Sequence, residues 1–380
     1  MRAKTRPGRI RIIPDHFGMG LLFIVTLLTE ALFILFLMVV DVLPLSYMVL
    51  TLLIIAVLDL AVILLINNRR GSIEKALTGC VISALTLILM TGGSYLMFNT
   101  YDTLSKISGA YAGTSEVTSE PFNVLISGID SRDDISDNYA RSDVNMIVTV
   151  NPNTNTILLT SMPRDSYVRL HTAGEMDKLT HTGVYGIDET VATIEDWLGI
   201  NIDYYARVDF KMLVNLVDAV GGIRVYNNID FYSSVKGWHY KKGWHNMHGT
   251  YALWFVRERK SFEDEDEQRI RNQQKVMKAL LKKVTSSRTL ILHYTDILDA
   301  VENNMQTSFS NEEITDLARM QIARMPKWDI QKQWVDGIDA YRGTWSMGPQ
   351  RKLFVSLPKQ KSVEKVRQGI LDVMYPEQEQ

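Results

Sequence analysis

Apolar residues crowd the first hundred positions, then recur in shorter runs. From Phe17 to Ile66 only Glu30, Asp41 and Asp59 are charged, and from Ala76 to Phe98 nothing is. Runs of that length and density read as membrane helices rather than strands or core helices. The pattern predicts spans at Phe17–Val40, Leu45–Ile66 and Ala76–Phe98, with Asp41–Pro44 as a tight reversal. About 20 residues at 1.5 Å rise cross a hydrocarbon core of roughly 30 Å. Beyond a Thr, Ser, Gly, Ala and Tyr stretch at 99–120, which reads as a stalk, the texture becomes that of a folded domain. Strands are predicted at Phe122–Ile129, Val144–Val150 and Thr156–Met162, the last two joined by Asn-Pro-Asn-Thr-Asn, a hairpin turn by composition. A helix near 188–198, a strand at 204–209, a helix at 211–219 stopped by Gly221-Gly222 and a strand at 223–227 follow. Helical stretches near 265–285, 288–303 and 310–324 come next, then a terminal amphipathic helix near Ser362–Met374. Strands and helices interleave without an internal repeat, so the expected fold is α/β over 121–345, with 346–380 as a C-terminal tail.

Charge gives the spans a direction. Arg2, Lys4, Arg6, Arg9 and Arg11 precede the first, Arg69, Arg70 and Lys75 lie between the second and third, and the Asp41–Pro44 loop has neither Lys nor Arg. The positive-inside rule places the basic segment 1–16 and the 67–75 loop in the cytoplasm and everything after the third span of the 17–98 anchor outside. No small-residue cleavage site ends the first span, so it reads as an anchor and not as a removed leader. Basic residues beside a membrane touch anionic lipid, a simpler reading than nucleic-acid binding. From residue 99 onward, 33 Lys and Arg face 38 Asp and Glu, which also argues against nucleic acid. The single cysteine, Cys80, lies in the third apolar run and rules out a disulfide framework. Glu30 and Asp59 are expensive in a bilayer and so are functional candidates; a hydrogen bond to a neighbouring helix is the simpler account.

Phosphate-loop, nucleophile-elbow and cysteine metal motifs are absent. His239, His245 and His248 lie near Trp238 and Trp244, where aromatic packing is favoured over zinc. Stronger signals are polar residues at strand ends: Asp130-Ser131-Arg132 after the first strand, Arg141-Ser142-Asp143 opening the second, and Pro163-Arg164-Asp165 closing the third. Ligands of α/β sheets sit beyond strand ends, although any one of these words alone could be a surface ion pair. On a helical wheel for the segment after Asp264, Ile270, Met277, Leu281 and Val284 form a buried stripe. Gln268, Arg271, Asn272, Lys275, Lys278, Lys282 and Lys283 fall opposite, on an expected solvated face, whereas Asp266, Arg269 and Gln273 flank the buried side. Arg257 and Arg259, two apart, share a face only if extended. Several guanidiniums with two or three carboxylates suit a polyanion and a divalent cation.

At these residues the chain resembles the LytR–CpsA–Psr family. The resemblance covers about Phe122–Lys283 through ordered words: Gly128-Ile-Asp-Ser-Arg, Arg141-Ser-Asp, Val150-Asn-Pro, Ser161-Met-Pro-Arg-Asp-Ser-Tyr-Val, Lys178-Leu-Thr-His, Val217-Asp-Ala-Val-Gly-Gly, Gly249-Thr-Tyr-Ala-Leu-Trp-Phe-Val-Arg-Glu-Arg and Asp266-x-x-Arg-x-x-x-Gln273. It implies an extracellular α-β-α layered domain with a mixed sheet. The implied reaction is transfer of a glycopolymer from a polyprenyl-diphosphate carrier to peptidoglycan, as a phosphodiester at a muramic-acid 6-hydroxyl. By matched motif, Asp130 and Asp143 would hold Mg²⁺; Arg164, Lys178, Arg257, Arg259, Arg269 and Gln273 would grip the diphosphate; Arg132, Arg141 and Asp266 would orient them. Asp266 also counts, with Asp130, Asp143, Arg164, Arg257 and Arg259, among the residues expected to carry catalysis. The three-span anchor resembles the capsule-associated CpsA branch, which makes capsular polysaccharide the first polymer to consider and teichoic acid the second. A polyprenyl-diphosphate phosphohydrolase and a non-enzymatic membrane regulator are the alternatives. The regulator would need a cytoplasmic output module, for which the expected cytoplasmic segments are short.

Overall fold

A computed structural model describes residues 16–66, 73–108, 116–129, 140–286, 289, 293–302 and 304–376. It begins with three helices: α1 (His16–Val40), α2 (Leu45–Ile66) and α3 (Ile73–Ile107). The third runs past the expected end at Phe98 and takes in the start of the predicted stalk. Contacts divide the chain after Asp102, so the last turn of α3 belongs with the C-terminal unit.

The N-terminal unit is built inside out. Leu28, Leu64, Ile88 and Leu89 are about two-thirds exposed, while Thr26, Glu30, Ser83 and Thr86 are buried between helices. In lipid this is the expected polarity, because apolar side chains meet acyl tails and polar ones must find partners inside. Thr26 and Ser83 hydrogen-bond across α1 and α3 at 2.9 Å, and Glu30 bonds to Asp59 across α1 and α2. The helix-bridging reading of the two carboxylates is the one the structure supports.

The C-terminal unit has, in chain order, β1 (Phe122–Ile129), β2 (Ser142–Asn151), β3 (Thr156–Met162), β4 (Tyr167–Arg169), β5 (Met176–Lys178), α4 (Leu179–Thr182), α5 (Ile187–Leu198), β6 (Tyr204–Asp209), α6 (Phe210–Ala219), β7 (Ile223–Asn227), β8 (Phe231–Tyr232), β9 (His239–Tyr240), β10 (Gly243–Met247), α7 (Gly249–Arg257) and α8 (Glu265–Val284). It continues with α9 (Tyr294–Glu302), β11 (Met305–Thr307), α10 (Asn311–Arg324), β12 (Asp329–Trp334), β13 (Gly337–Thr344), β14 (Gly348–Pro358) and α11 (Gln360–Met374). The main sheet has six strands in the order β11-β6-β1-β2-β3-β12. Pairing is antiparallel along β1-β2-β3 and parallel for β1-β6 and β3-β12, so the sheet is mixed.

Alternation along the strands makes two cores. Leu125, Ile147 and Leu158 pack with Ile194 and Leu198 of α5 and Val363, Val366 and Ile370 of α11. Their neighbours Val124, Met146, Val148 and Leu159 face Met277 and Leu281 of α8 and Leu317 of α10. Helices thus cover both faces, as the period-2 pattern requires. The segment from 346, expected as a tail, supplies β14 and a core helix. A third core joins α6, α7, β7, β10 and the other flank of α8. Gly221 and Gly222 both take positive φ, 74° and 81°, and Gly222 N–H closes α6 by donating to Val217 O at 2.8 Å.

Helices α6 and α7 approach so closely at Gly249 that a Cβ there would stand 2.1 Å from Val214 O. Gly249→Ala is therefore expected to destabilise the unit by about 1–3 kcal/mol through overpacking. The midpoint of thermal unfolding of the full chain in detergent reads this, and an unchanged midpoint would refute the close approach.

Candidate active site

Register places the sequence-predicted residues at one end of the sheet. Ile129 pairs with Ser142, the residue before Asp143, and Asn145 pairs with Met162, two residues before Arg164. The C-terminal end of β1, the start of β2 and the end of β3 therefore meet. Arg164 donates to Asp143 Oδ1 at 3.0 Å and, through Nε, to Asp165 Oδ2 at 3.3 Å. Lys178, the last residue of β5, donates to Asp165 Oδ1 at 2.7 Å. Backbone bonds lock this corner: Thr180 N–H to Arg164 O at 2.8 Å, and Ser356 N–H of β14 to Asp165 O at 2.8 Å.

From the other side, α8 brings Arg269 and Asp266. Arg269 is 8% exposed, with Nη2 3.0 Å from Asp266 Oδ1, and its Nε has no hydrogen-bond partner among the described residues. Burial pushes its guanidinium pKa down; Asp266 and Asp165 oppose that, and the nearby Arg164 and Arg259 add to it. Asp165 shows the reverse balance. Burial alone would raise its carboxyl, but the Lys178 hydrogen bond and the charges of Arg164, Lys178 and Arg269 hold it below the ordinary carboxylate range. Arg164, Lys178 and Arg259 line a cavity of about 580 Å³ together with the acids Asp165, Glu263, Asp264, Glu265, Asp266 and Glu267, and Asp339 and Phe354 line it as well.

Arg257 and Arg259 do not share an extended face. Arg257 ends α7, with its guanidinium 4.7 Å from the Phe210 ring and 5.4 Å from that of Trp254; only Arg259 lines the cavity. Between them, Glu258 is buried and accepts from the N–H groups of Ser234 (2.7 Å) and Arg259 (3.1 Å) and the Ser234 hydroxyl (2.9 Å). Burial disfavours its charge, yet these donors outweigh that and keep the carboxyl low. Gln273 is half-buried and Arg141 is exposed at the start of β2. Asp130 and Arg132 lie outside the described residues.

The histidines are each engaged elsewhere. His239 bonds Asp230 at 2.7 Å and stacks on Tyr232, His245 bonds Lys241 O at 2.6 Å, and His248 caps α7 by accepting from Tyr251 N–H at 3.4 Å. Among the described residues no cluster of three or more His, Cys, Asp or Glu could hold a metal. The aromatic-packing reading is the better one.

The α8 wheel needs correction. Gln268 and Asn272, expected on a solvated face, are buried and bonded to each other at 2.9 Å. Lys275 is half-buried, and burial with the charges of Lys332 and Arg271 pushes its amine down to about 8. The reason is that α8 packs between two cores rather than on one, so its buried arc is far wider than a single stripe. Lys282 is the exposed lysine of this helix. Sequence reasoning also gave no role to Asp165, although the Pro-Arg-Asp word contained it. It missed Asp177 too, which is fully buried and accepts from Ser346 N–H at 2.8 Å beside His181 at 2.6 Å. That network fixes the turn bearing Lys178, and the Asp177-Lys-Leu-Thr-His181 spacing was its only signal.

The Asp165 shift has a pH consequence. A carboxyl lowered on folding stabilises fully above its unfolded value, near pH 4, and that contribution is lost as pH falls through the lower folded value. Lys178→Met removes the main opposing donor, so burial prevails and the Asp165 pKa rises. Acid unfolding followed by circular dichroism should then begin at higher pH than in the wild type. Coincident acid limbs would show that Lys178 does not hold this carboxylate.

Similar proteins share this architecture. The LytR_cpsA_psr family model matches residues 94–361. The polyisoprenyl-teichoic acid–peptidoglycan teichoic acid transferase TagU of Bacillus anthracis is 31% identical over 247 residues, 61% of this chain and 79% of its own. Its Enterococcus faecalis namesake is 34% identical over 223 residues, 58% and 72% of the two chains. Among solved structures, B. subtilis TagV superposes with a TM-score of 0.55 at 29% identity, covering 67% of this chain and 97% of that one. TagT bound to LIIa-WTA gives 0.55 at 26%, covering 70% and 99%. With the family model matching residues 94–361, most of its length, this chain belongs to the LytR–CpsA–Psr family.

Proposed function

We propose that this protein transfers a glycopolymer from a polyprenyl-diphosphate carrier to peptidoglycan, forming a phosphodiester at a muramic-acid 6-hydroxyl. One observation carries the reading: a buried guanidinium, Arg269, has an Nε donor with no hydrogen-bond partner among the described residues, and its charged neighbours Arg164, Arg259, Asp165 and Asp266 all line the cavity. Buried donors are nearly always satisfied, so an orphan at a cavity points to an absent acceptor. A diphosphate supplies several charged oxygens, and Arg meets such groups with paired N–H donors. The names of the relatives, which are transferases acting on polyisoprenyl-linked teichoic acid, support this substrate class.

In the proposed step the acceptor hydroxyl oxygen bonds to the glycan-linked phosphorus and the P–O bond to the bridging oxygen breaks. Polyprenyl monophosphate leaves, with the hydroxyl proton finally on its phosphate. Arg164, Arg259 and Arg269 bind and orient the non-bridging oxygens, Lys178 keeps Asp165 charged, and Asp165 with Asp143 fixes the Arg164 plane. Phosphoryl transfer asks a protein mainly for positioning and charge neutralisation. Mg²⁺ is the proposed cofactor. It is commonly held by one or two carboxylates plus phosphate oxygens and water, a demand that Asp143 suits, with Asp130 as its partner by resemblance. When bound it would neutralise diphosphate charge.

Capsular polysaccharide is favoured by the likeness of the three-helix anchor to the CpsA branch, and teichoic acid by the relatives' names. We place the anchor in the cytoplasmic membrane with the domain outside, from the flanking Lys and Arg residues. A C-terminal reporter should then be active only outside the cell; cytoplasmic activity would overturn the orientation.

Purified chain, lipid-linked donor of either polymer class and muropeptide acceptor test the chemistry. Release of polyprenyl monophosphate should depend on acceptor; equal release without it would mean hydrolysis. Arg269→Ala should lose about 2–4 kcal/mol of transition-state stabilisation, about 30- to 1,000-fold in rate. Lys282→Ala should lose almost nothing. Asp143→Ala should recover partly at high Mg²⁺, and Arg269→Ala should not. Equal rates for the Arg269 and Lys282 variants would remove the clamp.

A further inference from the structure

A second, larger cavity of about 840 Å³ runs along β12, the edge strand of the sheet, beside α11. None of the site arginines lines it. Its wall carries Lys332, Lys359, Lys361 and Lys365, and it meets the arginine cavity at Glu267, which lines both.

The acids of this groove are largely spoken for. Glu267 pairs with Arg271 at 2.5 Å and Asp336 with Lys359 at 2.7 Å. Asp372 accepts from Gln368 at 2.7 Å. Lys332, Lys361 and Lys365 have no carboxylate within ion-pair distance among the described residues. The first turn of α11 opens on the same wall and contains no acidic residue, so its N-terminal dipole adds to the positive field. Just outside, Lys275 and Lys278 add two more amines. Partial desolvation and neighbouring positive charge (Lys332 and Arg271 for Lys275, Lys278 for Lys332) lower both amines, and Lys278 is turned to the Ile330 carbonyl. A row of amines without counter-ions is unfavourable in the empty protein and favourable once an extended anion lies along it. A diphosphate is too small to span both cavities, but a chain attached to it is not.

We propose that this groove binds the anionic chain of the donor glycopolymer, whose phosphodiester or carboxylate groups meet Lys332, Lys361 and Lys365 while its diphosphate lies among the arginines. The assignment rests on the transferase reading above, and it adds where the charges of the polymer lie: on the lysine wall along β12 and α11. Lysine fits such a ligand, because a mobile point charge follows a repeating polymer without demanding one geometry.

The test uses the full chain in detergent with labelled poly(glycerol phosphate), polyglucuronate and neutral dextran of matched length, read by fluorescence anisotropy. Wild type should bind the two polyanions with a steep salt dependence and ignore dextran. K332Q/K361Q/K365Q should lose about ten-fold or more in polyanion affinity at low salt and show a flatter salt dependence. Its binding of undecaprenyl diphosphate should be unchanged. A loss confined to one polyanion identifies that group as the ligand. Unchanged polyanion binding, equal binding of dextran, or weakening towards muropeptide strands instead would each overturn the proposal. If undecaprenyl diphosphate fails to bind wild type while the lysine-dependent polyanion binding remains, the transferase reading fails and the groove stands.

Discussion

The Asp165 carboxylate is the hinge on which the site hangs. Each of its oxygens faces a different cation, Lys178 on one side and Arg164 on the other, and its main-chain carbonyl receives the β14 backbone. Taking such a group out of water is unfavourable by several kcal/mol unless its lone pairs are filled, and here Lys178 of β5 fills one oxygen and the adjacent Arg164 the other. The bond set therefore does more than hold charge. It makes the β3 end, the β5 end and the C-terminal hairpin a single rigid corner, so that Arg164 is presented with its plane already fixed between Asp143 and Asp165.

Arg269 is the complement of that arrangement. It is nearly as buried, yet the carboxylates of Asp266 and Asp165 are matched by the guanidiniums of Arg164 and Arg259, and its Nε has no partner among the described residues. Burying a guanidinium with a donor left open works against folding, and α8, which carries it, is fastened on two sides. Gln274 shows how firmly, donating to Ser161 Oγ of β3 at 3.0 Å and to the Gln333 carbonyl of β12 at 2.7 Å. The satisfied corner at Asp165 lines the cavity, and the unsatisfied one at Arg269 adjoins it through Asp266. An anion entering it relieves the second without disturbing the first.

What the sequence disclosed follows from how burial works. The apolar runs of β1, β2 and β3 were legible because these strands are covered on both faces, and the three anchor helices because lipid demands unbroken apolar length. β12, β13 and β14 escaped notice: they lie at an edge or in a two-stranded hairpin, where residues such as Gln331, Lys332 and Arg351 are exposed and no alternation survives. That omission hid Asp339 and Phe354 from the cavity wall. The α8 wheel misled for another reason. A single moment assumes one buried stripe, whereas Gln268 and Asn272 are polar residues that satisfy each other inside. Strand-end words such as Pro163-Arg-Asp were readable as a site, but which of two adjacent charges does the anchoring depends on partners from distant segments, and only packing reveals that.

The two cationic surfaces divide along a line that chemistry sets. Where the proposed transfer would make and break bonds, displacement of a fraction of an ångström would matter, and the cavity there has arginines beside carboxylates, Arg164 between Asp143 and Asp165 above all. Along β12 and α11 the protein uses exposed lysines on flexible stems. A phosphorus atom must sit in one place, whereas a repeating chain has many equivalent registers and gains from being able to occupy any of them. A guanidinium row in the groove would trap one register and slow release of the product. An amine cluster at the diphosphate would leave the reacting group free to wander. The distribution of Arg and Lys between the cavities is thus the one that the proposed reaction centre and the proposed polymer groove would each require.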